Sequence, residues 1–175
     1  MAKTRKTARE KLRSGEAEIV DGWKGRGKML IPKPLDVDAL VRKISSGKLA
    51  TVDQIRRRLA KDSHADLTCP LTTGIFLRIA AEVAEEDLVE GRAEITPYWR
   101  VIKADGSLND KFPGGTQLQS IRLRQEGHEI EPGKGKKPPK VKGFESSLYI
   151  HLSSCLSALC QQGECGWRFS LRSGK

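Results

Sequence analysis

From residue 35 to residue 86, apolar side chains recur at α-helical spacing in three successive segments, each with its own start signal. Pro34 opens the first, LDVDALVRKI, where Leu35, Val37, Leu40, Val41 and Ile44 form one stripe, and Ser45-Ser46-Gly47-Lys48 ends it as a turn. Thr51 caps the second, VDQIRRRLAKD, and Gln54 three residues on completes a capping box. There Val52, Ile55 and Leu59 are predicted to face inward, leaving Arg56, Arg57, Arg58 and Lys61 as a basic outer rim. Pro70 suits the first position of the third, CPLTTGIFLRIAAEVAEED, whose stripe runs Leu71, Ile75, Phe76, Ile79, Ala80, Val83. Amphipathic helices of this length must bury their stripes against one another, so the chain is mainly α. The second and third, joined by the polar SHADLT, fit a helix-turn-helix or any other αα-hairpin.

Outside this block the signals are shorter. ITPYWRVIKADGSL reads as a short strand entering an Asp105-Gly106 turn. NDKFPGG is a loop, and Thr116 is the expected cap of a helix QLQSIRLRQEG that Gly127 ends. The 16 residues at the N-terminus are basic, with no apolar segment behind them, so they do not form a secretory signal. GKGKKPPKVK carries five lysines and no acid among its glycines and prolines, and is expected to be a mobile cationic tether. A chain of 175 residues, 37% hydrophobic, holds one core with tails. No apolar run approaches the roughly 18 residues of a membrane span, so the expected location is cytoplasmic, with nucleoid association if the source is prokaryotic.

Lys and Arg outnumber Asp and Glu 32 to 22, a net charge of +10. An excess of this kind fits an anionic partner, nucleic acid above all, or a protein that merely carries basic tails. Signs of catalysis are weak. His151, Cys155, Cys160 and Cys165 contain no C-x-x-C pair, so no metal is expected. Cys69, beside Pro70 at a helix start, is either a half-buried small residue or a thiol activated by the helix N-terminus. No phosphate-loop glycine pattern occurs, and no cofactor is expected.

One stretch asks for an explanation. In a chain with 5% aromatics, Tyr98 and Trp99 stand side by side between Pro97 and Arg100. Pro97-Tyr98-Trp99-Arg100-Val101, then Asp105-Gly106-Ser107-Leu108, Phe112-Pro113-Gly114-Gly115 and Glu126-Gly127, follow one another in an order and at distances similar to the O-6-alkylguanine-DNA alkyltransferase family, whose P-C-H-R-V motif carries the acceptor cysteine. Upstream, SGKLATVDQI resembles the family's entry into its helix-turn-helix. The resemblance spans residues 36 to 132. It departs where the chemistry lies: Tyr98 takes the cysteine's place and Trp99 that of the activating histidine. A phenol is a poor nucleophile near neutral pH and Trp is no base, so the pattern resembles the alkyltransferase-like proteins that bind alkylated DNA without alkyl transfer. Val52 replaces the family's helix-start tyrosine, and Gly74 falls near its base-gap-filling arginine, with Arg78 one turn on.

The resemblance implies a helix-turn-helix or winged-helix-like DNA-binding domain over residues 35–132, with a basic arm at 1–34 and a basic linker and tail at 133–175. It implies a lesion pocket of Tyr98, Trp99, Arg100, Phe112, Gly114 and Gly115, where the aromatic pair either stacks on an extruded base or plugs a disused pocket. Thr72, Thr73 and Arg78, on a helix entering the minor groove, are the expected DNA contacts; Arg56, Arg57, Arg58, Lys134, Lys136 and Lys137 would meet phosphates. Glu126, where the family has a relay glutamate, is then structural. The expected partners are double-stranded DNA containing O-6-alkylguanine and downstream repair proteins. Two other readings stay open: transfer to a displaced cysteine such as Cys69, and a generic basic adaptor for nucleic acid.

Overall fold

The computed structural model describes residues 6–21, 25, 27–133, 135 and 137–149. Five α-helices appear in this part: α1 (Ala8–Arg13), α2 (Pro34–Arg42), α3 (Val52–Asp62), α4 (Pro70–Val89) and α5 (Gly115–Gln125). The three helices read from the 35–86 periodicity are α2, α3 and α4, and the predicted capping box is present at Thr51 and Gln54. They pack around a core in which Val37, Val41, Ile55, Leu77 and Ala81 are almost wholly buried. No helix among the described residues is long and apolar enough to cross a membrane.

The β structure consists of short pairings, two of them local and two between distant segments. β1 (Glu18–Asp21) runs antiparallel to β2 (Lys28–Ile31), and β2 runs parallel to β4 (Leu67–Thr68), the segment between α3 and α4. The α3–α4 connector is therefore pinned to β2 rather than a bare turn. β3 (Ala50–Thr51) pairs in parallel with β5 (Val101–Ile102), which ties the start of α3 to the residues after the aromatic pair. β6 (Ile130–Glu131) and β7 (Lys140–Val141) close a small antiparallel ribbon after α5.

Two segments expected to be loose are packed. In the 1–34 arm, Ala8 and Leu12 of α1 lie against Ala80 and Val83 of α4, Arg9 bonds Asp87 at 3.0 Å, and Leu30 sits in the main core. In the 133–175 region, Val141 joins a second cluster with Leu49, Ile102, Leu108, Leu123 and Ile130. Phe144 lies so close over Gly106 that a Cβ there would sit 2.5 Å from its ring. Tyr149 donates its backbone N–H to Leu49 O at 2.7 Å. The described part of the supposed tether thus completes the fold. Composition misleads here because glycine, proline and lysine are also the residues of short edge strands.

Candidate nucleic-acid interface

Tyr98, Trp99 and Arg100 form one 3₁₀ turn, entered from a fixed point: the hydroxyl of Thr96 donates to Asp38 at 2.7 Å, and Asp38 also holds Arg42. Tyr98 is fully buried. Its ring meets Trp99 and Phe112 edge-on, with centroids 5.5 and 5.2 Å apart, and its hydroxyl donates to Glu85 at 2.6 Å. Burial first, and then the hydrogen bond to Glu85, raise the phenol far above its ordinary pKa. Arg122 completes the group, bonding Glu85 at 2.7 Å while its guanidinium lies 4.8 Å from the Trp99 ring centroid.

The other side of the turn is held by Glu126. It accepts from the Trp99 indole at 2.8 Å, from Arg100 at 2.9 Å and from the Gly47 amide at 3.1 Å. Burial alone would push this carboxyl up; the hydrogen bonds from Arg100, Trp99 and Gly47, with the Arg100 charge, outweigh it and hold the pKa below the usual glutamate range. Arg100 also donates to the carbonyl of Ile44 at 2.6 Å. Tyr98, Trp99 and Arg100 are each engaged by hydrogen bonds within the fold, and none of them lines the cleft described next. Glu85, Arg122 and Glu126 thus hold the three side chains that the resemblance assigned to a lesion pocket.

The accessible cavity lies beside them. A cleft of about 650 Å³ opens between the first half of α4 and the loop Asn109–Phe112, with Val52 at one end. Its α4 wall is Leu71, Gly74, Ile75 and Arg78; Phe112 contributes from the opposite wall. Gln119, wholly buried on α5, sets the loop: its side-chain amide donates to Trp99 O and Val101 O, and its oxygen accepts from the Asn109 N–H at 2.7 Å. Lys11, Arg78, Lys103 and Lys111 stand on the cleft against two carboxylates, Glu82 and Asp110. Those carboxylates pair with Arg78 and Lys103, at 2.9 and 2.8 Å.

Of the predicted site residues, the cleft brings together Arg78 and Phe112. Thr73 cannot contact DNA: it is fully buried, and its hydroxyl donates to Cys69 O at 2.7 Å. Thr72 is half-buried beside it. Gly114 and Gly115 both have positive φ and start α5; Gly114 rather than Thr116 is the N-cap. In the α3 rim, Arg56 is committed to Asp53 and to Thr68 O, and Arg58 to Asp62, while Arg57 and Lys61 are exposed. Lys137 is exposed, while Lys134, Lys136 and the cysteines at 155, 160 and 165 lie outside the described residues. Among the described residues no cluster of three metal-ligating side chains occurs. Cys69 is the α4 N-cap; burial raises its thiol pKa, but hydrogen bonds from Thr72 and Leu71 and the Arg56 charge bring it below the ordinary value.

Sequence reasoning missed Leu71, Gly74 and Ile75 as cleft residues. It placed Leu71 and Ile75 on the inward stripe, yet they are 71% and 47% exposed. The signal was available in part, because 71, 74, 75 and 78 share one helix face. Hydrophobicity alone does not tell which apolar face stays uncovered.

No family model matches the sequence, and no curated protein matches it. Among solved structures the chain is similar to S. pombe Atl1 in complex with damaged DNA containing O6-carboxymethylguanine, at 22% identity and a TM-score of 0.47. That match covers 66% of this chain and 93% of the other. It is similar to the same extent, by each of these measures, to S. pombe ATL in complex with DNA.

Proposed function

We propose that this protein binds double-stranded DNA without covalent chemistry and receives one base, an O-6-alkylguanine in the reading that its sequence motifs suggest, in the cleft between α4 and the Asn109–Phe112 loop. The cleft carries the proposal. It has the size of a small-molecule site, about 300–1,000 Å³, apolar side chains on its α4 wall, and more cations than carboxylates at its edge. A base turned out of its stack is flat and weakly polar on its faces, and the backbone it hangs from is anionic. In this reading α3 and α4 act as a helix-turn-helix pair, with α4 laid into a groove. The acids at the far end of α4 do not repel the duplex, because Glu82, Glu85 and Asp87 are engaged by Arg78, Arg122 and Arg9.

Alkyl transfer has no support in this geometry. The Tyr98 hydroxyl is buried, bonded to Glu85 and held protonated, so it is no nucleophile. Cys69 bonds to the first turn of α4 and lies outside the cleft lining. Incubation with a duplex containing O-6-methylguanine, followed by intact-mass measurement, is expected to show no added methyl group on the protein. A gain of one methyl on a cysteine would overturn the non-covalent reading. Gly74→Trp tests the cleft itself: a Cβ at Gly74 meets nothing within 4 Å, so the indole extends into the cleft without disturbing α4. Preference for the alkylated duplex should disappear while binding to plain duplex persists.

A further inference from the structure

Far from the cleft, one row of side chains crosses the three-stranded sheet on its core-facing side. It consists of Ile19 on β1, Leu30 on β2 and Thr68 on β4, aligned by the register of the two ladders. Thr68 is 1% exposed and Leu30 2%, but Ile19 is 48% exposed. The cover over the sheet therefore stops at β1. The far edge of β1 pairs with no strand among the described residues, which leaves its outward N–H and C=O groups open to another strand.

Charge decides what such an edge meets. From Ser14 to Asp21 the chain carries Glu16, Glu18 and Asp21 and no cation, and all three acids are exposed. A second copy of β1 would set these acids against one another, which is destabilising across a ladder. The edge fits an extended segment in which apolar residues alternate with cations. The chain carries such a segment, Trp167-Arg168-Phe169-Ser170-Leu171-Arg172, which lies outside the described residues. It alternates with the period of a strand, and no acid follows it to Lys175. Residues 150–166, which join it to Tyr149, span roughly 55 Å at full extension, against roughly 40 Å for the width of a domain of this size. We propose that Trp167–Arg172 adds to the free edge of β1 in the same chain as a fourth strand. In a parallel register Phe169 meets Ile19 and Arg168 meets Glu18; in an antiparallel one Leu171 meets Ile19 and Arg172 meets Glu18. Either way an apolar residue completes the uncovered row and an arginine meets an acid on the opposite face. This docking is independent of the DNA-binding reading above.

The test is residue-resolved amide hydrogen exchange on the full chain, compared with a full-length variant carrying Phe169→Ser and Leu171→Ser. The outward amides of Glu18–Asp21 and alternate amides of Trp167–Arg172 should exchange roughly tenfold more slowly in the unsubstituted chain, while amides of α4 keep the same rates in both. Glu18→Lys should remove the protection at both places. Combining it with Arg168→Glu and Arg172→Glu, which reverses the charges of the pair, should restore it. Equal exchange of the β1 amides in the unsubstituted chain and the double-serine variant overturns the docking. So does a loss of protection in Glu18→Lys that the reversed charges fail to recover. Protection that grows with protein concentration, together with a dimer in sedimentation, would assign the strand to a second copy and overturn docking within one chain.

Discussion

Tyr98 and Trp99, the adjacent aromatic pair that stands out in the sequence, are both tied into the fold by their polar atoms. Tyr98 holds α4 to α5 through Glu85 and Arg122, and Trp99 reaches Glu126. Tyr98→Phe keeps the ring and removes the hydroxyl that Glu85 accepts from; it should lower unfolding stability by about 1–2 kcal/mol in urea titration and leave DNA affinity unchanged. A larger loss in affinity than in stability would return Tyr98 to the ligand site. Glu126 gives a pH prediction. Its pKa is depressed in the folded state, so its stabilisation is complete above the ordinary glutamate value of 4.5 and is lost as pH falls through the lower folded value. Thermal melts between pH 7 and 3 should show an acid-side decline that is shallower in Glu126→Gln, from a reduced starting stability. That the motif's Glu126 is structural was legible once the cysteine and histidine were seen to be missing. That Tyr98 is fully enclosed was not, because Glu85, Tyr98 and Arg122 converge only in three dimensions.

At the scale of elements, the helices follow from local pattern and most of the strands do not. Pro34, Thr51–Gln54 and Pro70 mark three helix starts, and each is observed. β2 with β4, and β3 with β5, are pairings of two residues each across long sequence separations, where periodicity has no room to appear. The consequence falls on α1. Its six residues are too few for a helix stable by itself, and burial of Leu12 against α4 is what keeps it in place. Leu12→Ala should therefore lower the stability of the whole domain by about 2–4 kcal/mol, measured by denaturant titration. A free arm would show no change. Gly114 is a second case, with φ +69 and a virtual Cβ 2.6 Å from the Leu118 side chain. Gly114→Ala should destabilise the domain by about 1–2 kcal/mol, seen as a lower melting temperature.

For the whole molecule, a net charge of +10 overstates how much free positive charge the surface offers. Arg56, Arg58 and Arg78 each pair with an acid three or four residues away, so much of the basic rim is already neutralised within its own helix. Exposed cations such as Arg57, Lys61, Lys111 and Lys137 remain for phosphates, and in the proposed reading the apolar cleft supplies the discrimination. The most direct measurement is fluorescence anisotropy of a short duplex containing one O-6-methylguanine against the same duplex with plain guanine, at two salt concentrations. Phosphate contacts weaken with salt and a cleft contact does not. Tighter binding to the alkylated duplex, by a ratio that persists as both affinities fall, is the predicted result. Equal affinities that collapse together with salt would contradict it and leave a cationic surface with no working cleft.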